Sequence, residues 1–589
     1  LVALRDLIGE DRDNPGRNAA LREPILKAVF DAGLDRDCAL PGGLDRQGSQ
    51  PELFETYLEQ LSSYLQLLEQ RLFSSGLHHL GEPPDADQLL SYLRACFGEE
   101  LGEPLLEAIA ALDPASLDPA SVDAALPPQR PQLDPAGEEA LAKALRVAGL
   151  LQRNREELSN LLRGLNGEYI PPAPGGDLLR DGPGVLPTGR NIHALDPYRM
   201  PSAGAMARGR EIAGRILERH RADHDGAWPE TVAVMLWGLD AIKTRGESLA
   251  ILLELVGARP VQEGTGRIVR YELIPLAELD HPRVDVLANL SGIFRDSFGN
   301  ILELLDDLFR RAADADEPEE RNAIRRHCTA LRAEGVENPS ARLFSNPAGD
   351  FGSLVNDRIT DANWEDGDEL AATWRDRNAY SYGRSDHGQA RREVLAALLR
   401  STDRVVQQID SVEYGLTDIQ EYYANTGGLK RAAEVAQAAE RPGRRVPASF
   451  VESFSRDTTP RELDELLRLE YRSKLLNPRW AEAMASMGSG GAYEISQRMT
   501  ALLGWAGTSD FRDRWVYDQA ADTYALDPAM ADRLRQANPE AFRNVVGRLL
   551  EASSRGIWQA SPETLAALRQ LHDLTDAELE GVAVAAGPG

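Results

Sequence analysis

Residues 164 to 202, GLNGEYIPPAPGGDLLRDGPGVLPTGRNIHALDPYRMPS, constrain the fold more than any other stretch, because seven prolines and seven glycines fall within thirty-nine residues. No helix and no central strand can run through it, since proline lacks the backbone donor and glycine favours turns. A loop of this length in a compact domain is either functional or a linker. The polar content favours function: Glu168, Asp177, Arg180, Asp181, Arg190, Asn191, His193, Asp196, Tyr198 and Arg199 exceed what a spacer needs, while Ile170, Val185, Leu186 and Ile192 supply the anchoring bulk.

The sequence changes character across this segment. Residues 1–165 read as successive amphipathic helices, with apolar residues recurring at three- and four-residue spacing in stretches such as ELFETYLEQLSSYLQLLEQRLF. His78 and His79 end one of them and read as a surface pair. Beyond the segment, a helix over SAGAMARGREIAGRILERHRAD precedes short apolar, β-branched runs at Thr231–Trp237, Ala258–Gln262, Arg267–Ile274, Val284–Asn289, Ala341–Ser345 and Arg404–Asp410, separated by helical stretches. Strand, helix, strand at this spacing predicts a parallel sheet covered on both faces. From about Lys430 the pattern is helical again. The expected architecture is α/β: a helical domain over 1–165, the Pro/Gly-rich loop over 166–202, a Rossmann-like parallel-sheet domain over 203–430 and a helical region over 431–589.

Ligands of open parallel sheets collect beyond the carboxyl ends of the strands. Trp237, Asp240 and Lys243, Ser291 with Arg295 and Asp296, Ser345-Asn346-Pro347, and Asp410-Ser411 with Glu413 all follow strands in this way. Ser, Asp and Asn are also ordinary helix caps, so each position has a purely structural alternative. The net charge of −29, from 65 Lys and Arg against 94 Asp and Glu, argues against a nucleic-acid backbone as partner. No apolar run approaches the roughly 18 residues of a membrane span. Cys38, Cys96 and Cys328 lie far apart without a CxxC pair, which fits a reducing cytoplasm rather than a disulfide or structural-zinc framework. No G-x-x-x-x-G-K-[ST] phosphate loop occurs, so nucleotide hydrolysis is not expected of this polypeptide. Leu1 is not an initiating methionine, and the expectation is of an excised or truncated piece.

GVLPTGRNIHALDP followed by YRMPS resembles the signature of the large subunit shared by magnesium chelatase and cobaltochelatase. Further blocks match in the same order: LWGLDAIKTRGESLA (Leu236–Ala250), PRVDVLANLSGIFRDSF (Pro282–Phe298), RLFSNPAGDFGS (Arg342–Ser353), DSVEYGLTDIQEYYANTGG (Asp410–Gly428) and KLLNPRW (Lys474–Trp480). The resemblance covers roughly residues 1 to 575, the C-terminal half of such a subunit. IKTRGESLA and the DEPEE run at Asp316–Glu320 look more like the magnesium enzyme than the cobalt one.

The resemblance implies the porphyrin-binding catalytic subunit of a cytoplasmic, ATP-dependent magnesium chelatase of chlorophyll or bacteriochlorophyll biosynthesis. Such a subunit inserts Mg2+ into protoporphyrin IX while two separate AAA+ subunits hydrolyse ATP. The alternatives are cobalt insertion into a corrin precursor, and a tetrapyrrole-binding scaffold whose catalytic half lies elsewhere. Metal insertion requires removal of two pyrrole protons and dehydration of an ion that prefers oxygen ligands. Glu168, His193, Asp196, Glu247, Glu413 and Asp418 are the candidate catalytic groups, with Asp196, Glu413 and Asp418 also candidate metal ligands. Arg180, Arg190, Asn191, Trp237, Asp240, Lys243, Ser291, Arg295, Tyr422 and Tyr423 are the candidate substrate contacts, the aromatic ones as apolar walls.

Overall fold

The computed structural model describes the chain apart from residues 1–3, 5–6, 9–18, 45–49, 72–78, 99, 113–132, 176–181, 194–195, 456 and 582–589, and apart from the side chains of residues 19–20, 69–70, 95, 174, 182–183 and 193. Two compact units emerge, and their boundaries differ from the expected four-part division. One comprises residues 1–77, 464–499 and 512–589; the other comprises 78–463 and 500–511. The helices expected over 1–165 are therefore divided between units: Ala19–Asp31 and Pro51–Gln70 belong to the first, whereas those from Ala86 onward belong with the sheet.

The described elements of the first unit are helices, among them Pro478–Ser486, Pro539–Ser554 and Pro562–Leu579. Its buried ion pairs converge on Asp37, which accepts from Nε of both Arg468 and Arg472.

The second unit is built on an eight-stranded sheet. In chain order its strands are β1 (Thr231–Leu236), β2 (Asp285–Leu290), β3 (Leu343–Ser345), β4 (Tyr380–Tyr382), β5 (His387–Ala390), β6 (Thr402–Ile409), β7 (Ala448–Glu452) and β8 (Arg461–Glu462). The spatial order is β8-β7-β6-β1-β2-β3-β4-β5. The pairs β7/β6, β6/β1, β1/β2 and β2/β3 are parallel, and the outer strands β8, β4 and β5 pair antiparallel. Every residue of β1, β2 and β6 is buried, as a sheet covered on both faces requires. One core cluster joins Val232, Val234, Val286 and Ala288 of the sheet to Ile212 and Ile216 of α1 (Ala203–Asp223), and to Leu249 and Leu253.

Two expectations are corrected. Ala258–Gln262 and Ile268–Leu273 pair with each other as a separate antiparallel hairpin and do not join the sheet. The sheet extends past residue 430, because β7 and β8 lie in the stretch expected to be helical. Within the Pro/Gly-rich segment, Pro172–Pro174 and Asn191–His193 form a short parallel pair.

The sheet unit also holds two helices against each other through glycines. Tyr422–Gly427 winds as a π-helix before the helix Gly428–Gln437, a departure that frequently marks functional sites. A Cβ on Gly504 would lie 2.7 Å from the Tyr423 ring, and one on Gly428 would lie 2.7 Å from Trp374. Gly504→Ala is therefore expected to destabilise the unit by about 1–3 kcal/mol through overpacking, measured as a lower urea midpoint.

Candidate functional site at the carboxyl edge of the sheet

From β1 the chain proceeds to β2 and β3 on one side, while β6 and β7 lie on the other, so the order reverses between β1 and β6. The carboxyl ends of these two strands mark the edge at which open parallel sheets bind ligands. Trp237 follows β1, and Asp410 follows β6.

Trp237, half-buried, stacks on the buried Tyr422 with ring centroids 4.7 Å apart and planes at 22°. Below this stack, α2 (Gly238–Thr244) and α3 (Glu247–Val256) meet the end of β6 through side chains. Gln407 Nε2 donates to Asp240 Oδ2 at 3.3 Å, and Gln407 Oε1 accepts from the Thr426 hydroxyl of the π-helix at 3.0 Å. Gln408 Nε2 donates to Glu247 Oε1 at 2.6 Å, and Arg208 Nε stands 2.8 Å from Glu247 Oε2. Lys243 forms an ion pair with Asp410. Sequence reasoning missed Gln407, Gln408 and Arg208; the available signal was a polar pair inside the buried apolar run TDRVVQQI.

Apolar side chains rim this edge. Leu239, Ile293, Phe351, Leu354 and Tyr414, on the segments that follow β1, β2, β3 and β6, are 41–63% exposed. Gly292 and Phe351 are in close approach, as are Gly238 and Ile293, so the loops after β1, β2 and β3 adjoin.

Among the sequence candidates, Trp237, Asp240, Lys243, Glu247 and Tyr422 are brought together here. Tyr423 is instead a core residue, edge-on to Trp505 with its hydroxyl 3.1 Å from Gln420 Oε1, so it lines no surface. Ser291 is the N-cap of α4 (Gly292–Ser297), accepting from Phe294 N and also from Gly238 N, each at 3.1 Å. The Arg295 guanidinium is buried and committed internally, to Asn346 O, Pro347 O and Asp350 O at 2.8–3.2 Å and to both Asp296 oxygens. It holds the loop that carries Phe351. Glu413 is exposed on the loop after β6, and Asp418 Oδ2 accepts from Gly415 N at 2.8 Å.

The segment candidates lie elsewhere. Arg190 pairs with Glu156 at 2.6 Å and so is tied to the preceding helix, Glu156–Leu165, not to the sheet. Glu168 and Asn191 are exposed, and Ile192, expected as an anchor, is 70% exposed, whereas Leu186 packs on the cluster of Leu141 and Leu145. Asp196 caps its own turn through Tyr198 N at 3.0 Å. That turn is docked on the sheet unit: Asn300 donates to Pro197 O, Arg199 donates to Thr265 O, Arg267 lies over the Tyr198 ring at 4.0 Å, and Tyr271 donates to Met200 O. Arg180, His78 and the His193 side chain lie outside the described residues. Asp196, Glu413 and Asp418 are not gathered into a metal site: among the described residues no group of three or more His, Cys, Asp or Glu is placed to hold an ion.

A profile of the CobN/Magnesium Chelatase family matches residues 1–565. The chain belongs to this family. It is 45% identical over 435 residues to a magnesium-chelatase subunit of Chlorobaculum parvum, covering 74% of this chain and 34% of that one. The aerobic cobaltochelatase subunit CobN of Pseudomonas aeruginosa is 32% identical over 629 residues, covering 96% and 49%. Among solved structures, the catalytic subunit of cobaltochelatase from Mycobacterium tuberculosis superimposes with a TM-score of 0.86 at 28% identity, over 98% of this chain and 51% of that one. The chain thus spans about a third to a half of the length of these relatives. Among the described residues no helix is long and apolar enough to cross a membrane.

Proposed function

We propose that this chain is part of a magnesium chelatase large subunit that binds protoporphyrin IX at the carboxyl edge of the sheet and takes part in Mg2+ insertion, with ATP hydrolysed by AAA+ partner subunits. The observation that carries the reading is the cluster of side chains at the switch point: the Trp237–Tyr422 stack, the carboxylates Asp240, Glu247 and Asp410 held by β6, α1 and α2, and exposed apolar side chains on the segments that follow the strands. A flat macrocycle needs apolar walls, and its insertion chemistry needs oxygen ligands and a base. Asp240 and Glu247, bonded to β6, form the floor. Glu413, exposed on the loop after β6, is the group proposed to accept pyrrole protons. The 45% identity to a magnesium-chelatase subunit supports magnesium. The alignment with CobN over 96% of the chain supports cobalt as the second reading.

Titration of the 589-residue chain with protoporphyrin IX is expected to quench tryptophan emission, with most of the quenching lost in Trp237→Phe. In the assembled enzyme, product fluorescence should require Mg2+, ATP and the AAA+ subunits. Turnover of a corrin precursor with cobalt alone would transfer the assignment to the second reading, and absence of quenching would remove the site.

A further inference from the structure

The turn that joins α2 to α3 at the switch point is built from two consecutive left-handed residues, Arg245 (φ 57°) and Gly246 (φ 90°). Glycine at 246 is explained by its backbone and by the 3.1 Å approach of its would-be Cβ to Pro201. Arginine at 245 is not explained by the turn, because a side chain in this conformation strains the backbone and Gly or Asn would satisfy it better. The surrounding polar side chains are already engaged: Lys243 with Asp410, Thr244 with Asp240 O, and Glu247 with Arg208 and Gln408. Arg245 is exposed and makes no side-chain hydrogen bond or ion pair among the described residues, although the chain carries 94 acidic side chains and many of its other arginines are paired. Its carbonyl accepts from Ser202 N at 3.0 Å, which seats the turn where the Pro/Gly-rich segment rejoins the unit.

Strained residues held by their surroundings collect at functional sites, and an unengaged guanidinium is suited to bidentate recognition of a carboxylate. Lys243, neutralised by Asp410, does not supply net positive charge to this edge, whereas Arg245 does. We propose that Arg245 receives a carboxylate side group of the flat ligand, which makes the site selective for tetrapyrroles that carry free acids. This inference rests on the proposed porphyrin site and adds the specificity of that site.

The test compares protoporphyrin IX, which bears two propionates, with its dimethyl ester, using tryptophan quenching in the same detergent-containing buffer. The wild-type chain is expected to bind the diacid about 10-fold more tightly, the effect of one charge-assisted contact. Arg245→Gly relieves the backbone strain, so its thermal midpoint should be unchanged or higher. It should lose that preference while binding the ester as the wild type does, and Arg245→Lys should restore part of it. Equal weakening of both ligands in Arg245→Gly, or unchanged diacid binding, would overturn the role of Arg245 and leave the porphyrin site standing. If the wild type binds neither ligand, the porphyrin site and this inference fall together.

Discussion

Replacement of Asp285 by alanine is expected to destabilise the sheet unit by about 3–5 kcal/mol, the cost of leaving a buried charge without its partner. Asp285 opens β2 at the amino end of the sheet, opposite the candidate site, and its side chain is fully buried. Oδ1 accepts from Arg342 Nε at 2.6 Å and from Val286 N at 2.8 Å; Oδ2 accepts from Arg342 Nη2 at 2.9 Å and lies 2.8 Å from His327 Nδ1. The Arg342 side chain is equally inaccessible. Deleting the carboxylate therefore strands a guanidinium in the core, whereas replacing Asp285 and Arg342 together by apolar residues should cost much less. Urea midpoints of the single and double variants measure the difference; a single variant as stable as the wild type would show that Arg342 finds water.

The same cluster fixes a pH window. Burial alone would push the Asp285 carboxyl up, but Arg342 and His327 outweigh it and hold it well below the usual carboxylate range. Its contribution is present above the unfolded carboxylate value near ~4 and is lost as pH falls through the depressed folded value. Burial alone would push the His327 imidazole down, but hydrogen bonds to Asp285 and Glu230 outweigh it and raise it. That contribution is full below the unfolded histidine value near ~6.5 and is lost as pH rises through the raised folded value. The cluster accordingly stabilises most between about pH 4 and 6.5, and His327→Gln should flatten the alkaline side of the stability profile.

The central strands were legible because a sheet covered on both faces demands continuous apolar runs, which β1 and β2 supply. The hairpin of Ala258–Gln262 with Ile268–Leu273 was legible as extended chain, yet not as a hairpin apart from the sheet; its partly exposed alternation, with EGTGR between, is the pattern that separates it from β1. YSY and HGQA carry no apolar run, and ASFVE is five residues amid helical sequence, so β4, β5 and β7 escaped notice. The strand-end rule placed Trp237 and Asp410, which follow their strands directly, and Asp240 and Lys243, which lie on the helix after β1. Their convergence was not legible, since it depends on β6 lying beside β1, where Thr231 pairs with Thr402, a residue far along the chain. Arg190 illustrates the opposite failure: close in sequence to Asn191 and His193, it turns back 34 residues to Glu156.

Glu247→Ala is expected to lower stability by about 3 kcal/mol, on the scale of hydrogen bonds to a charged group. Both Glu247 oxygens are engaged: Oε1 accepts from Gln408 of the central strand, and Oε2 forms an ion pair with Arg208 of α1, whose Nη2 donates to Glu452 O at the end of β7. The carboxylate thus joins α3, β6 and α1 at one buried point, and its removal leaves the inaccessible Gln408 amide and the Arg208 guanidinium without that acceptor. Glu247→Gln keeps the length and an acceptor but loses the charge opposite Arg208, so it should cost less. Protoporphyrin binding, measured in parallel with urea unfolding, should weaken with the fold in Glu247→Ala, while Glu413→Gln should bind porphyrin at wild-type stability and lose metal insertion. A Glu247→Ala chain that unfolds at the wild-type midpoint, binds porphyrin and fails only in insertion would reverse these two roles, placing the proton-accepting carboxylate on α3 and leaving Glu413 outside the chemistry.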